Sequence, residues 1–324
     1  MLFNRPLVAC LSVCAFALGN TAHAQPYPSK PIRLIIAQAP GSATDVVSRV
    51  VGNKLAEGLG QQLVIDARPG AGGTLGTELA ARAAPDGYTL FMANNSTHGS
   101  NPALYAKLSY DAVKDFAPVI YVVATPYVLS VHPSLPAKSV KELVALAKLR
   151  PGQINYASAG NGSTHHLSGE LLKMMAGIDI VHIPYKGAGI AMADVLGGQV
   201  PMICTGATAL AAHIKSGRLR PIGVATLKRS ALMPELPTIS EQGLTGFEVD
   251  SWSALLAPAK TPEPIIRLLY ETVAKIVKTD DMQNFLASVG AEPRLMDPRE
   301  FGAYLKTDTA KWAKVVKAAK LKLD

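Results

Sequence analysis

The chain has 324 residues, 48% of them hydrophobic, and carries a formal charge of +8. This length suits two ordinary domains or one large domain, and the hydrophobic fraction is ample for a buried core. Near the C-terminus, Lys alternates with apolar residues at helical spacing, which predicts a solvated helix face and not a nucleic-acid patch. We therefore expect no nucleic-acid partner, whereas a mild positive field suits small anions.

Residues 1–24 have the pattern of an export signal. Arg5 precedes an apolar run at 7–18, and Ala-His-Ala at 22–24 matches a cleavage site of the A-x-A type. The apolar run is too short to span a bilayer, and an uncleaved membrane anchor is the alternative. We expect cleavage after Ala24 and a mature protein in the periplasm, away from cytoplasmic ATP and NAD.

Short apolar runs then alternate with helical patterns. Strands are predicted at 32–37, 62–66 and 89–93, with helices at about 44–57 and 74–84 between them. This order predicts a parallel sheet with helices on its faces. Ser42 is predicted to cap the first helix, with Asp45 as its reciprocal partner.

A long extended stretch, bent at Pro126, separates this unit from a second alternation of strands and helices. The second set of strands is predicted at 154–157, 180–183, 200–204 and 221–225. A further extended run at 251–257 leads to three helices, at about 262–278, 280–288 and 298–320, which we expect to return to the first unit. Two units joined by two extended crossings predict an α/β protein with two parallel or mixed sheets in two lobes and a ligand cleft between them. Residues 25–125 and 248–324 would form lobe I, and residues 126–247 lobe II.

Several strand-to-helix turns combine Gly with Ser, Thr or Asn. Backbone N–H groups at a helix start are free and attract anions without a charged side chain. In an open α/β sheet such turns line the crevice at the carboxyl ends of the strands. Helix capping is the alternative for each turn, but the turn with Ser158, Ser163 and Thr164 is longer than capping requires. Lys186 is one cation among these turns, although a Lys on a turn is usually solvated.

Common catalytic motifs are missing from the sequence. It contains no G-x-S-x-G, no H-E-x-x-H and no P-loop, and Leu75 stands where a dinucleotide fingerprint needs its last Gly. His165 and His166 are adjacent, so on a helix they point about 100° apart and cannot chelate a metal together. We therefore expect no enzyme, no cofactor and no metal. A hydrolase or lyase that uses Ser163 with His165 or His166 is the alternative.

Seven motifs together resemble a known family. They occur in this order: Tyr27-Pro28-Ser29-Lys30-Pro31-Ile32-Arg33, Pro40-Gly41-x-x-Thr44-Asp45, Arg68-Pro69-Gly70-Ala71-Gly72-Gly73, Ala84-Pro85-Asp86-Gly87-Tyr88-Thr89-Leu90, Tyr156-Ala157-Ser158-x-Gly160-x-Gly162-Ser163, His182-Ile183-Pro184-Tyr185-Lys186-Gly187 and Leu196-Gly197-Gly198-Gln199-Val200. The chain resembles the Bug-type receptors, the solute-binding proteins of tripartite tricarboxylate transporters. The resemblance implies a periplasmic two-lobed fold of the type II binding-protein kind, capture of an organic carboxylate and delivery to integral membrane transporter subunits.

The family's ligand turns map onto 38–45, 94–98, 158–166, 185–187 and 205–208. The resemblance implies that the following residues bind the ligand: Gln38, Ser42, Ala43, Thr44, Asp45, Asn94, Ser96, Thr97, Ser158, Gly162, Ser163, Thr164, His165, Tyr185, Lys186, Gly187 and Thr205. Members of the family hold the carboxylate with turn backbones, hydroxyls and ordered water. Two departures are notable: Gln38 replaces a frequent aromatic residue, and Thr205 replaces a frequent Asp that would suit a ligand ammonium. The second departure argues against an amino-acid ligand.

We expect a monomer that hinges closed on its ligand. A ligand-sensing subunit for a membrane signalling protein is an alternative to the transport receptor, because both would use the same closure. The sequence does not distinguish between a dicarboxylate, an aromatic acid and another carboxylate.

Overall fold

The structure is a computed structural model, and it describes residues 27–323. The predicted export signal at 1–24 lies outside the described residues. Across 27–323, no helix combines the length and the apolar character that crossing a membrane requires. The strands are β1 (Ile32–Ile36), β2 (Leu63–Ala67), β3 (Thr89–Asn94), β4 (Phe116–Val131), β5 (Asn155–Ser158), β6 (Val181–Pro184), β7 (Met202–Gly206), β8 (Arg220–Val224), β9 (Asp250–Pro258) and β10 (Glu292–Met296).

The predicted alternation of strands and helices is confirmed in both units. The α-helices are α1 (Ala43–Leu59), α2 (Thr74–Ala81), α3 (Asn101–Leu104), α4 (Val140–Leu149), α5 (Thr164–Ala176), α6 (Ala188–Leu196), α7 (Ala207–Lys215), α8 (Glu263–Val277), α9 (Asp280–Ser288) and α10 (Pro298–Ala318). A 3₁₀ turn (Ala71–Gly73) precedes α2, and a π-helical turn (Asn95–Ser100) precedes α3. The sequence did not predict the π-helical turn, α3 or β10.

The first sheet has the order β2-β1-β3-β9-β4, with β10 on the other edge of β4. β1 runs parallel to β2 and β3, whereas β9 is antiparallel to β3 and β4. Leu34 and Ile36 pack in the layer that contains α1, α8 and α9, whereas Ile35 packs in the layer with α2 and the start of α10. Burial on both faces explains why β1 is apolar at every position except Arg33, which is half-buried.

The second sheet has the order β6-β5-β7-β4-β8. β5 runs parallel to β6 and β7, and β4 is antiparallel to β7 and β8. Helices α4 and α5 pack in one core cluster of this sheet, and α6 and α7 pack in another. Both sheets therefore have helices on their two faces, as the alternating pattern predicted.

Strand β4 belongs to both sheets. Pro126 faces Asp250 in the last pair with β9, and Tyr127 faces Gly206 in the first pair with β7. The predicted bend at Pro126 therefore lies within one continuous strand, at the residue where the strand changes partners. Proline lacks an N–H donor, so it is tolerated where a ladder is interrupted.

The C-terminal helices differ from the prediction in one respect. α8 and α9 pack on the first sheet as expected, whereas α10 packs against both sheets. Phe301 near its start lies in a core cluster of the first sheet, while Trp312 and Val316 pack with Leu167 of α5. A helix of 21 residues is about 30 Å long and extends beyond one lobe.

Candidate functional site

The predicted ligand turns follow parallel strands of both sheets at their carboxyl ends. We name them by the strand that precedes them: the β1 turn (37–42), the β3 turn (95–100), the β5 turn (159–163), the β6 turn (185–187) and the β7 turn (206). Asn95, which is buried, donates a hydrogen bond from Nδ2 to Thr164 Oγ1 at 2.7 Å. The β3 turn of the first sheet therefore directly contacts the start of α5 on the second sheet.

The β1 turn is held by its own polar side chains. Ser42 caps α1, because its Oγ accepts the Asp45 N–H at 3.2 Å. The Asp45 carboxylate accepts the Gly41 N–H at 2.8 Å and pairs with Arg49, so the predicted bond back to Ser42 is replaced by one to Gly41. Burial would raise the pKa of Asp45, but the hydrogen bonds from Arg49 and Gly41 bring it below its ordinary value. Asp45 is therefore an ionised support for the turn.

Gln38 in the same turn presents an unused acceptor. Among the residues that the structure describes, its buried Oε1 has no hydrogen-bond partner. A Cβ on Gly73 would lie 3.3 Å from Gln38 Nε2 and 2.9 Å from Thr97 Cγ2, so the 3₁₀ turn packs closely against both residues. Gly73 has φ +92°, which a residue with a side chain rarely adopts. A polar amide, in place of the family's frequent aromatic ring, thus borders the site.

The Asn94 side chain caps the start of the β3 turn. Asn94 Oδ1 accepts the N–H groups of Ser96 at 3.0 Å and Thr97 at 3.1 Å, and its Nδ2 donates to Thr44 Oγ1 at 3.3 Å. Thr97 is fully buried. The side chains of Asn94 and Thr97 therefore build the turn, whereas Ser96 is partly exposed beside it.

The β5 turn is closed by hydroxyl groups. Ser163 caps α5, since its Oγ accepts the His166 N–H at 3.3 Å, and it donates to Gly160 O at 2.7 Å. Ser158 Oγ accepts the Gly160 N–H at 3.0 Å. The Ser163 hydroxyl thus bonds to backbone atoms and not to an imidazole. The Ser–His pair that the hydrolase alternative requires is therefore not formed by Ser163.

The polar side chains of the β6 turn and of the end of β7 have different partners. Tyr185 donates its hydroxyl proton to Asp194 Oδ2 of α6 at 2.7 Å, and Lys186 is exposed. Thr205, in the last part of β7 and not in the turn after it, contacts His165 Nε2 at 2.9 Å. Burial lowers the pKa of His165 to about 4, so this imidazole is neutral at neutral pH.

Helices α6 and α7 begin without a side-chain cap. Gly187 precedes α6 and Gly206 precedes α7, and neither residue has a side chain to accept the first N–H groups. Ser42 and Ser163, in contrast, each satisfy an N–H of α1 and α5. The first N–H groups of α6 and α7 are therefore available to an anion.

A cavity of about 460 Å³ lies away from these turns, beside the point where β4 changes sheets. Its lining includes Pro126, Lys228, Asp250 and Arg294 and none of the predicted ligand residues. Over 27–323, no group of three or more His, Cys, Asp or Glu side chains is placed to hold a metal ion.

Two histidines of the site were missed as a pair by the sequence analysis. His166, expected at most to face ligand or solvent, is buried, with Nδ1 accepting the Gly162 N–H at 3.1 Å. His182 Nε2 lies 2.6 Å from Ser158 Oγ. The sequence signals are that His166 is the last residue of the predicted ligand turn at 158–166 and that His182 begins the motif that contains the turn at 185–187.

Two α/β sheets that share one strand, with turns at the carboxyl ends of their strands in contact through Asn95 and Thr164, are typical of a two-lobed solute-binding protein. The model of the tripartite tricarboxylate transporter family receptor matches residues 47–321. Protein BugT of Bordetella pertussis is 36% identical over 320 residues, which is 98% of each chain. The chain belongs to the tripartite tricarboxylate transporter receptor family, whose receptors are periplasmic.

Solved structures agree with this assignment. The chain is 35% identical to Rpa4515 of R. palustris with adipate, with a TM-score of 0.75 over 92% of this chain and all of that one. It is 32% identical to MatC from Rhodopseudomonas palustris with bound malate, with a TM-score of 0.71 over 90% of this chain and all of MatC. Family and structures together confirm the predicted family and the two-lobed fold.

Proposed function

We propose that this receptor captures a small organic carboxylate between its lobes and delivers it to the integral membrane subunits of a tripartite transporter. The adipate and malate complexes of Rpa4515 and MatC support a carboxylate ligand. The observation that carries the proposal is the contact between Asn95 and Thr164, which brings the β3 turn of one sheet against the helix start of the other. A ligand at this junction touches both lobes.

The anion is held by dipoles and hydroxyls in this proposal. The uncapped helix starts at Gly187 and Gly206 supply N–H donors, and Gln38 supplies an amide. Thr164 and His165 lie at the junction and supply further polar atoms. The backbone of the β5 turn also contacts the ligand in this proposal. The side chains of the remaining residues predicted to bind the ligand act as the walls and supports of these turns; they are Ser42, Ala43, Thr44, Asp45, Asn94, Ser96, Thr97, Ser158, Gly162, Ser163, Tyr185, Lys186 and Thr205.

The lobes hinge in this proposal where the chain crosses between the sheets. Residues 25–125 and 248–324 form lobe I, and residues 126–247 form lobe II. The change of partners at Pro126, opposite Asp250, supports these boundaries. Cleavage after Ala24 precedes function in the periplasm, and the mature receptor acts as a monomer without enzymatic activity or cofactor.

A thermal-shift screen tests the proposed ligand class. The probes are adipate, malate, a monocarboxylate and benzoate, each paired with its uncharged amide as a matched control. A ligand at 100 times its dissociation constant stabilises the folded protein by about 2.7 kcal/mol, which corresponds to a shift of roughly 5 °C or more. We expect at least one acid to shift the melting temperature while its amide does not. Equal shifts by an acid and its amide, or shifts only with non-acidic solutes, would reject a carboxylate site.

A further inference from the structure

Two imidazole rings lie face to face beneath the β5 turn. His166 of α5 and His182 of β6 have ring centroids 3.7 Å apart and planes that differ by 6°. Tyr156 of β5 continues the stack, with its centroid 5.1 Å from that of His182. His166 is 3% exposed and His182 is half-buried, so the rings are part of the packed interior below the turn.

The polar atoms of both rings are directed to the turn. Gly162 donates its N–H to His166 Nδ1, so this nitrogen carries no proton. The Ser158 hydroxyl proton has two acceptors within reach, His182 Nε2 at 2.6 Å and Gly160 O at 3.2 Å. Because Gly160 O also accepts the Ser163 hydroxyl at 2.7 Å and the contact with His182 is the shorter one, we assign the proton to His182 Nε2, which then acts as an acceptor. While it is neutral, His166 holds Gly162 of the turn, and His182 holds Ser158, the last residue of β5 directly before the turn.

The charged groups around His166 and His182 do not neutralise the two positive charges that protonation of both rings would add. Glu170 Oε1 lies 4.0 Å from His166 Nε2, but it also accepts the Tyr156 hydroxyl at 2.7 Å and Lys173 Nζ at 3.1 Å. Helix α10, which also packs against α5, contributes the apolar residues Trp312, Val315 and Val316 to this core. Two imidazolium rings in contact would repel each other with little screening.

The direction of the pKa shifts agrees with this geometry. Burial, followed by the effects of the neighbouring His166 and Lys173, lowers the pKa of His182 to about 4 against an opposing effect of Glu170. Burial also lowers the pKa of His166. Both rings are therefore neutral at neutral pH and become charged only in acid.

We propose that His166 and His182 are positioning residues that hold the β5 turn in its binding geometry while neutral, and that protonation of the stacked pair releases the turn and weakens ligand binding. This inference rests on the proposed function in taking the β5 turn as a ligand contact. Protonated Nδ1 of His166 would point a donor at the Gly162 N–H, and protonated Nε2 of His182 would no longer accept from Ser158. The turn must then move, and the ligand loses hydrogen bonds to it.

Variants that keep the acceptors but cannot be protonated isolate the effect. In His166→Asn, the amide oxygen replaces Nδ1; in His182→Gln, it replaces Nε2. The matched control is His132→Asn, a half-buried imidazole that contacts Ser134. Affinity for adipate or malate is measured by titration calorimetry at about pH 7.5 and about pH 3, because the pKa of His182 is about 4 and the pair is charged only below that value. Protonation of the acid itself affects all proteins equally and cancels in the comparison.

The double amide variant combines His166→Asn with His182→Gln. We expect the wild-type protein and the His132→Asn control to lose about tenfold or more in affinity over this pH range, relative to the double amide variant. Phenylalanine at both positions retains the stacking volume but not the acceptors, so it should bind weakly at both pH values. Equal pH profiles for the wild-type protein and the double amide variant would overturn the proposal.

A ligand-free readout separates this inference from the proposed function. In the wild-type protein, the amide resonance of Gly162 should titrate with the imidazole of His166, and this titration should disappear in His166→Asn. If no carboxylate binds at neutral pH, the proposed ligand class fails but the Gly162 titration still decides the role of the histidines. A Gly162 amide that does not follow the imidazole would overturn the positioning role, even if the variants fail to fold.

Discussion

Removal of the Asn95 side chain should weaken ligand binding without a direct change to the ligand's donors. Asn95 Nδ2 donates to Thr164 Oγ1 across the two sheets at 2.7 Å. In the proposed hinge motion, these two groups would separate as the lobes open. A net hydrogen bond contributes about 0.5–1.5 kcal/mol, so Asn95→Ala should shift the balance between closed and open forms by roughly two- to twelvefold. The apparent dissociation constant rises by up to that factor, because the binding-competent form is less populated.

The matched control for this change is Asn101→Ala. Asn101 is also buried and donates to Gly72 O at 2.9 Å, but both partners belong to the first sheet's side of the molecule. Calorimetry with adipate or malate gives the affinity, and small-angle scattering without ligand gives the compactness. We expect both variants to melt earlier, but only Asn95→Ala to bind more weakly and scatter as a larger particle. The reasoning is refuted if the two variants lose stability equally and both retain wild-type affinity and dimensions.

Three further predictions follow from single features. Lys186→Ala should change the dissociation constant by less than about threefold, because Lys186 is exposed and the proposed donors are neutral; calorimetry that shows no binding would instead indicate an ion pair. Burial lowers the pKa of His98 to about 3 and that of His165 to about 4, below the ordinary 6.5. The contribution of the two neutral rings to the free energy of unfolding is therefore full above pH 6.5 and is lost as the pH falls towards these values. Urea unfolding at several pH values measures this loss, and stability that stays constant down to pH 4 would contradict it. Gly169→Ala should destabilise the fold by about 1–3 kcal/mol or more, since the new Cβ would lie 2.2 Å from the Tyr156 ring. The control is Gly189→Ala, where no atom lies within 4 Å of the new Cβ. Equal melting temperatures for the two variants would contradict the prediction and show that the Tyr156 ring moves aside.

The sequence predicts the sheets well because their strands are buried on both faces. The run at 32–37 is apolar except for Arg33, which is half-buried and pairs with Asp66 of β2, and β1 occupies most of the run. The π-helical turn was missed, since Asn95 to Ser100 is a polar segment that is typical of a loop. His98 is buried there because Phe91, Phe116 and Tyr110 surround it, and contacts between such distant residues are not visible in a local pattern.

The motifs identify the turns of the candidate site but not the task of each side chain. Ser42 and Thr44 were both predicted to bind the ligand, with helix capping as the alternative for their turn. The structure shows Ser42 capping α1 locally, whereas Thr44 accepts a bond from Asn94, 50 residues away. The stack of His166 on His182 likewise depends on the pairing of β5 with β6. Long-range partners of this kind require the fold and do not follow from spacing alone.

Helix α10 has a practical consequence for anyone who builds a fluorescent sensor from this receptor. The helix is anchored in the cores of both sheets, and Leu323 after it donates its N–H to Leu104 O at 2.8 Å. A reporter domain attached after Leu323 would disturb the segment that holds the two sheets together. It would therefore alter the closure on the ligand that it is meant to report. Tyr27, in contrast, bonds to Gly87 within one half, so a reporter at that end leaves the C-terminal segment untouched.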